Sequence, residues 1–305
     1  MRNPIIVGTR GSALALAQTK QTIQTLKELE PNLRFEVAEI KTKGDNMRDL
    51  GESALDGKRL FTKEIEESLI NKDIRVAVHS MKDLTTELPA GLKIAAVPQR
   101  ADHRDALISR DKRKFQQLSG GARVGTSSPR RRTQLLAARN DLHVLDTHGN
   151  VDTRLRKLEA GEYDAIIVAA AGLERLGMEK RATELLSTRV MLPAVGQGAL
   201  AVETREDDEE IVELVSPINH EPTHRAVDAE RAFARKLGAN CRTPIAAFAA
   251  VLETKLRIDG MVASSDGRML LRTQLISDES EAKRVGEELA ESLLSKGAQQ
   301  VLEAA

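Results

Sequence analysis

The stretch that decides the fold is residues 123–132, which read Arg123-Val124-Gly125-Thr126-Ser127-Ser128-Pro129-Arg130-Arg131-Arg132. A short strand-like run ends at a glycine, hydroxyl residues follow, and Pro129 stands where a helix would begin. Hydroxyl side chains cap the free amides of a first helical turn, and proline suits the first helical position because no N–H is needed there. The stretch therefore predicts a strand that turns directly into a helix, which is the repeating unit of α/β proteins.

The same order of strand, turn and helix recurs along the first two thirds of the chain. Thr9-Arg10-Gly11-Ser12 follows a first strand and opens a helix at about residues 13–30, and residues 149–154 open another helix. Further strands are expected at 35–40, 75–78, 93–97, 142–145, 165–169 and 199–204. We expect the last of these to return to the first lobe. The pattern predicts two α/β lobes with mostly parallel sheets and a cleft between them.

The last third of the chain has a different pattern. A helix at about 223–237 precedes three β-like runs, at 246–252, 256–263 and 269–276, and an amphipathic helix at 279–294 follows them. Turn residues between the runs favour antiparallel pairing, so we predict a small α+β domain with a three-stranded antiparallel sheet. The predicted domains are residues 1–98 with 198–217 (lobe 1), 101–193 (lobe 2) and 218–305 (C-terminal domain).

Composition narrows the class of protein. The 46 basic residues balance the 46 acidic ones, and aromatic residues make up only 2% of the chain. Such a chain lacks both the net charge that attracts nucleic acid or anionic membrane and the rings on which bases stack. No apolar run is long enough for a signal peptide or a membrane span. We therefore expect a cytoplasmic protein with no nucleic-acid or membrane partner.

The only cysteine, Cys241, lies in a turn-like segment bounded by Gly238 and Pro244. A lone cysteine is most often a small buried hydrophobic residue. A reactive role is the alternative, because Arg242 next to it would favour the thiolate, which is the nucleophilic form. The residues by themselves leave both interpretations open.

An arginine accompanies each of the three helix starts: Arg10, Arg130 and Arg154. Free amides and the helix dipole attract anions, and guanidinium groups bind carboxylates in bidentate fashion. Ordinary capping with solvated arginines explains any one of these turns, whereas three together favour a ligand with several carboxylates or phosphates. Phosphate is the less favoured anion, because the chain contains no Walker pattern. The segment 76–84 adds Asp83 after a strand, either as a surface ion pair or as a group that stabilises developing positive charge.

The order of these blocks resembles the porphobilinogen deaminase family over nearly the whole chain. The matching blocks are Thr9–Ser12 with Gln18, Thr42–Asp45, Leu60–Glu64, Val78–Asp83, Gly125–Ser128 with Arg130 and Arg131, Gly149-Asn150 with Thr153-Arg154, Leu192–Gly198, and Cys241 with Pro244. The resemblance implies two lobes similar to periplasmic binding proteins, and a monomer. It implies the condensation of four porphobilinogen molecules, with loss of ammonia, into the linear tetrapyrrole hydroxymethylbilane.

The resemblance also assigns roles to residues. Cys241 would hold a dipyrromethane cofactor through a thioether, and Asp83 would be the catalytic residue, holding pyrrole N–H groups and offsetting their transient positive charge. The cofactor-binding residues would be Lys82, Thr126, Ser128, Arg130, Arg131, His148, Gly149 and Arg154. The substrate-binding residues would be Arg10, Ser12, Gln18 and Arg175. Lys58 and Phe61 would lie on a mobile loop over the site, and no metal is implied.

Two other interpretations stay open. A non-catalytic two-lobed protein that binds a small polyanion would show the same turns, although it would have no use for the C-terminal cysteine domain. A relative that keeps the cofactor but has lost elongation is the other alternative. It is suggested by His148, which stands where the family usually has arginine before Gly-Asn.

The residue at position 148 gives a first prediction. Histidine carries a positive charge only below about neutral pH, whereas arginine carries it at every assay pH. Replacing His148→Arg is therefore expected to raise turnover of porphobilinogen above pH 7. Steady-state rates of the two proteins, compared at pH 6 and pH 8, test this; equal rates at pH 8 would contradict it.

Overall fold

The computed structural model describes residues 4–42, 61–240 and 243–303. Two predicted site residues, Cys241 and Lys58, lie outside the described residues. The chain folds into two compact units. Unit 1 comprises Met1–Ala101 with Ala199–His224, and unit 2 comprises Asp102–Gly198 with Arg225–Ala305. None of the described helices is long and apolar enough to cross a bilayer.

Unit 1 is built on a five-stranded sheet. Its strands are β1 (Ile5–Thr9), β2 (Phe35–Glu39), β3 (Val76–Ser80), β4 (Leu92–Ala96) and β10 (Leu200–Arg205). They lie side by side in the order β2-β1-β3-β10-β4. Its helices include α1 (Ala13–Leu29), α2 (Lys63–Ile70) and α6 (Glu209–Val215). Strand β1 pairs in parallel with β2 and β3, whereas β10 runs antiparallel between β3 and β4. The predicted return of the strand near residue 200 to the first lobe is thereby confirmed.

The core of unit 1 lies on both faces of this sheet. One face buries Val7, Val78 and Val202 against apolar residues of α1 and α6. The other face packs Ala77 against Ile65 and its neighbours on α2. Strand β3 is buried on both faces because helices cover it from either side, and its run Val-Ala-Val is typical of the centre of such a sheet.

Unit 2 contains a second five-stranded sheet. Its strands are β5 (Asp105–Ser109), β6 (Arg123–Gly125), β7 (His143–Leu145), β8 (Ala165–Ala169) and β9 (Glu184–Leu185). They lie side by side in the order β7-β6-β8-β5-β9. Its helices include α3 (Pro129–Ala138), α4 (Val151–Glu159) and α5 (Ala170–Arg175). Here β5 is antiparallel to its neighbours, as β10 is in unit 1, and the other strands share one direction. Four of five strands in each sheet therefore point the same way, as the mostly parallel pattern predicts.

The last part of unit 2 is an α+β layer. Helix α7 (Glu221–Lys236) precedes strands β11 (Ile245–Leu252), β12 (Lys255–Ala263) and β13 (Leu270–Asp278), and helices α8 (Ala282–Ser295) and α9 (Ala298–Glu303) follow. The three strands form an antiparallel sheet in chain order, which confirms that prediction. A Cβ on Gly286 would lie 2.1 Å from the carbonyl oxygen of Ala229, so only glycine allows α8 to approach α7 this closely. The three-domain boundaries stay a prediction.

The acidic run Glu206–Glu210 is more than the start of a helix. Asp208 precedes α6 without capping it through its side chain. Instead, its buried carboxylate accepts hydrogen bonds from Arg75 and Arg205, which joins β10 to the start of β3. The Arg75 hydrogen bonds hold the pKa of Asp208 below its usual value. This ion pair therefore stabilises unit 1 only while the carboxylate is ionised.

At pH 7 the Asp208→Asn variant is expected to have a free energy of unfolding about 2 kcal/mol lower than that of the wild-type protein, because two guanidinium groups lose a charged partner. A carboxylate with a lowered pKa in the folded state stabilises above its unfolded pKa, and that stability is lost as the pH falls through the folded value. The difference between variant and wild type should therefore shrink below about pH 4. The neighbouring exposed Asp207→Asn is the control, and equal effects of the two changes would contradict the assignment.

Candidate active site

The first group of predicted site residues belongs to unit 1 and is centred on Asp83. Strand β3 ends at Ser80, and one 3₁₀ turn, Met81–Asp83, follows. Met81 is buried, its N–H donates to the Ala199 carbonyl at 3.0 Å, and its own carbonyl accepts from Leu84. The turn is therefore fixed at both ends by backbone hydrogen bonds. It presents the Asp83 side chain at the surface with about one third of its area exposed (35%).

Arg10 lies beside this carboxylate, at the end of β1. Its Nη1 atom is 3.7 Å from Asp83 Oδ2, and its guanidinium carbon is 4.3 Å from the centre of the Phe61 ring. A cation over an aromatic face is held by electrostatic attraction, so Phe61 and Asp83 both bind the same guanidinium group. Lys82, next to Asp83, is exposed. The structure thus brings three predicted residues, Arg10, Phe61 and Asp83, into one cluster.

Two further predicted residues of unit 1 lie on α1. Ser12 caps the helix, because its Oγ accepts from the Ala15 N–H at 3.2 Å. Gln18 is buried in the second turn of the helix and exchanges hydrogen bonds with Ser80 Oγ at 2.8 and 3.1 Å. Gln18 therefore holds the residue that leads into the Asp83 turn. Its predicted contact with substrate is untested by this geometry.

A buried pair that the sequence did not point to lies behind the same turn. His79 Nε2 and Glu203 Oε2 are 2.9 Å apart, and both side chains are almost fully buried. They join β3 to the returning strand β10. A charged residue inside an apolar run, here Glu203 after Leu200–Val202, is the signal by which the pair could have been found, since such a residue is buried only with a partner.

The second group belongs to unit 2 and begins at the start of α3. Ser128 caps this helix by accepting from the Arg131 N–H at 3.4 Å, and Pro129 occupies the first helical position, as predicted. Thr126 Oγ1 accepts from the Ser128 N–H at 3.2 Å. Ser127 exchanges hydrogen bonds with the backbone of Thr147, which ties this turn to the one before α4. The predicted strand-to-helix turn is confirmed in detail.

The burial of Arg130 and Arg131 excludes the alternative of ordinary capping with solvated arginines at this turn. Neither is a solvated arginine, because both guanidinium groups are buried and bind Asp105 at the start of β5, with closest distances of 2.8 Å each. Each also donates to a backbone carbonyl, Arg130 to Leu192 and Arg131 to Ile167. Burial lowers the pKa of Arg131, and the Asp105 charge opposes that shift. The sequence analysis missed Asp105 altogether.

The third predicted turn, before α4, contains His148, Gly149 and Arg154. His148 is exposed, and Arg154 Nε donates to the Gly149 carbonyl at 2.9 Å. The sequence pattern favours a Ser, Asn or Asp side-chain cap at each of the three helix starts, but Asn150 precedes α4 without making such a hydrogen bond. Asn150 is exposed, so water can reach the first amides of the helix without a side-chain cap.

Arg175 ends α5 and is half-buried. Its Nη2 donates to the Gly198 carbonyl at 2.7 Å, whereas its Nε is buried with no hydrogen-bond partner in the described part of the chain. Burial lowers the pKa of Arg175 to about 10. An unsatisfied buried donor costs roughly 1–3 kcal/mol, so it is a position where an acceptor from a ligand would be stabilising.

The residues of unit 2 fit a group that carries carboxylates. Thr147 Oγ1, like Arg175 Nε, is buried with no hydrogen-bond partner among the described residues. The start of α3 adds the positive end of the helix dipole. Fold and side chains together define a class: an α/β protein with two mostly parallel sheets whose strand–helix turns bear donors and cations for a polyanionic ligand.

Comparison with known protein families identifies which α/β proteins with a polyanionic ligand this chain resembles. Residues 5–213 match the family model described as porphobilinogen deaminase, dipyromethane cofactor binding domain, and residues 224–295 match its C-terminal domain. The chain belongs to the porphobilinogen deaminase family.

Curated relatives named porphobilinogen deaminase match nearly end to end. The protein of Carboxydothermus hydrogenoformans is 48% identical over 303 residues, covering 99% of this chain and 97% of its own. That of Thermus thermophilus is 48% identical over 299 residues (98% of each chain), and that of Bacillus subtilis is 47% identical over 305 residues (99% and 96%).

The chain is also similar to two solved structures from a putative and a probable amino-acid ABC transporter. The second substrate-binding domain of a putative amino acid ABC transporter from Streptococcus pneumoniae has a TM-score of 0.45 at 11% identity, over 77% of this chain and 95% of that one. A probable extracellular-binding protein from Bacillus subtilis has a TM-score of 0.43 at 10% identity, over 72% and 90%.

Gly149 provides a prediction about the turn before α4. It has a φ of 105°, and an added Cβ would lie 2.7 Å from Thr153 Cγ2. Replacing Gly149→Ala should therefore lower the free energy of unfolding by roughly 2–3 kcal/mol and weaken the Arg154 contact. Gly121, with a φ of 74° and no described atom within 4 Å of an added Cβ, is the matched control. Gly121→Ala should cost only about 1 kcal/mol; equal unfolding midpoints for the two variants would contradict the steric argument.

Proposed function

We propose that this chain catalyses the deaminating condensation of four porphobilinogen molecules into hydroxymethylbilane, with Asp83 as the catalytic residue. The observation that carries this proposal is the fixed turn that presents the Asp83 carboxylate beside Arg10. Family membership over both matched domains supports the reaction. The alternative of a non-catalytic binding protein is not supported by these relatives.

Asp83 suits the chemistry of an aminomethyl pyrrole. Loss of ammonia from porphobilinogen leaves positive charge that spreads over the pyrrole ring and its N–H. A carboxylate held at that N–H accepts its hydrogen bond and lowers the energy of the charged state. Since the turn is fixed by the backbone contacts of Met81, the carboxylate needs little rearrangement when that charge develops.

Arg10 is proposed to bind the carboxylates of the substrate. Each porphobilinogen carries an acetate and a propionate, and a guanidinium group binds such groups in bidentate fashion. The Arg10–Asp83 distance of 3.7 Å is longer than a hydrogen bond, so a substrate carboxylate can compete for the guanidinium. Ser12, Gln18 and Arg175 are proposed to complete the binding of substrate and growing chain, and Phe61, with Lys58, to cover the site.

The residues of unit 2 are proposed to hold the dipyrromethane cofactor by its carboxylates. When bound through Cys241, this group supplies the free pyrrole α-carbon from which the chain grows. The proposed cofactor-binding residues of unit 2 are Thr126, Ser128, Arg130, Arg131, His148, Gly149 and Arg154, and Lys82 of unit 1 is proposed to contribute as well. The buried, unpartnered Thr147 Oγ1 and the cations near α3 support this assignment. We further propose a monomeric, cytoplasmic enzyme with no nucleic-acid or membrane partner.

Intact-mass spectrometry and a product assay test the proposal together. The wild-type protein should carry an excess mass of two linked pyrrole units, and Cys241→Ala should lack it. Asp83→Asn should keep the excess mass while turnover of porphobilinogen falls by about 10²–10⁴-fold, because the N–H loses its charged acceptor. Asp111→Asn, an exposed aspartate paired with Arg113, is the control and should retain the wild-type rate.

Either of two outcomes would overturn the proposal. An unmodified wild-type mass after incubation with porphobilinogen would favour the binding-protein alternative. Full activity of Asp83→Asn would remove the catalytic role of that carboxylate while leaving cofactor attachment in place.

A further inference from the structure

Asp105 is the most completely buried charge near the proposed cofactor-binding residues. Its side chain is 0% exposed. Its two oxygens accept from Arg130 Nη1 and Nη2 at 2.8 and 3.2 Å, and from Arg131 Nε and Nη2 at 2.9 and 2.8 Å. One carboxylate therefore orients two guanidinium groups. We name these three side chains the Asp105 cluster.

The charges of the Asp105 cluster do not cancel. One carboxylate faces two guanidinium groups, so the three side chains carry a net charge of +1. The backbone carbonyls of Leu192 and Ile167 accept further hydrogen bonds from the two arginines, but they are neutral dipoles. A buried charge is screened much less than one in water, so an anion at the nearby surface interacts with it strongly.

The Asp105 cluster lies at the start of α3, where its positive charge can attract an anionic ligand. Arg130 and Arg131 belong to the first turn of α3, whose N-cap is Ser128. The helix dipole adds positive potential at the same end. The side chains of the two arginines are only 6% and 8% exposed, so they offer little surface for direct contact. Their contribution to binding an anion must then depend largely on where Asp105 holds them.

We propose that Asp105 is a positioning residue: it holds Arg130 and Arg131 side by side beneath the start of α3, so that their uncancelled charge attracts the carboxylates of the cofactor. This inference rests on the proposed function. The rival explanation is that Asp105 only stabilises the fold, as any counter-ion for a buried arginine does.

The test compares variants that change the cluster in different ways. Asp105→Asn alone leaves two buried guanidinium groups without a carboxylate and is expected to fold poorly. Arg131→Met keeps the Arg130–Asp105 ion pair with a net charge of zero. The double variant Asp105→Asn with Arg131→Met has the wild-type net charge of +1 but no carboxylate to orient Arg130. Leu107→Ala, a fully buried change in the same strand, is the control for lost stability.

The readout is the rate at which full-length protein, produced in cells that cannot make porphobilinogen, gains the cofactor mass when porphobilinogen is added. Thermal melting of each variant is measured alongside. If Asp105 positions the arginines, the double variant should load about tenfold more slowly than Arg131→Met despite its higher charge. Leu107→Ala should melt at a lower temperature yet load at the wild-type rate.

Loading of the folded double variant as fast as Arg131→Met would overturn the inference and leave Asp105 a structural residue. If the double variant does not fold, Asp105→Glu distinguishes the two explanations. This variant keeps a carboxylate opposite Arg130 and Arg131 but moves it by the length of one methylene group. If Asp105→Glu gains the cofactor mass more slowly than Leu107→Ala, the positioning role is supported. If it gains the mass at the wild-type rate, the positioning role is contradicted. A wild-type chain that never gains the mass would instead overturn the proposed function itself.

Discussion

The position of Asp83 depends on one long-range backbone contact, the antiparallel pairing of β10 with β3. This pairing aligns Leu200 with Ser80 and is extended by the hydrogen bond from the Met81 N–H to the Ala199 carbonyl. It fixes the end of β3 and therefore the turn that presents Asp83. A carboxylate on a loop without such contacts would lose its orientation to thermal motion, and a preorganised electrostatic group is effective only if it does not have to move. Arg75, Arg205 and Asp208 stabilise the far end of the same strands through charge.

Buried polar groups lie near strand ends at two places in the structure. His79 with Glu203 lies behind the Asp83 turn, and Asp105 lies beneath the start of α3. Burial of such groups is unfavourable unless each finds a partner of suitable geometry. In both places the partner comes from a neighbouring strand or helix, which links the position of a functional turn to the packing of the sheet. The fold thereby determines where the charges lie, and the charges determine which ligands are favoured.

Much of this architecture could be predicted from the sequence, for local reasons. Turn chemistry at Ser128-Pro129 predicted a capped helix, and the turn residues between the three β-like runs predicted antiparallel pairing; both are present. The cap at Asn150 failed because cap geometry depends on backbone and neighbours as well as residue type. Strand β5 could not be predicted, and Asp105 was missed with it. Aspartate is rarely found in strands and is rarely buried, so a strand that begins with a buried aspartate is recognised only when its two arginine partners are known. Those partners lie 25 and 26 residues away, beyond the reach of any local pattern.

The proposed reaction requires that Asp83, held beside Arg10 on a fixed turn, assist the loss of ammonia from porphobilinogen. The most direct measurement is the amount of ammonia released per tetrapyrrole formed by the purified protein, followed over single turnovers. We expect four ammonia molecules for each hydroxymethylbilane, released in steps that keep pace with chain growth. Tight binding of porphobilinogen with no release of ammonia would contradict it.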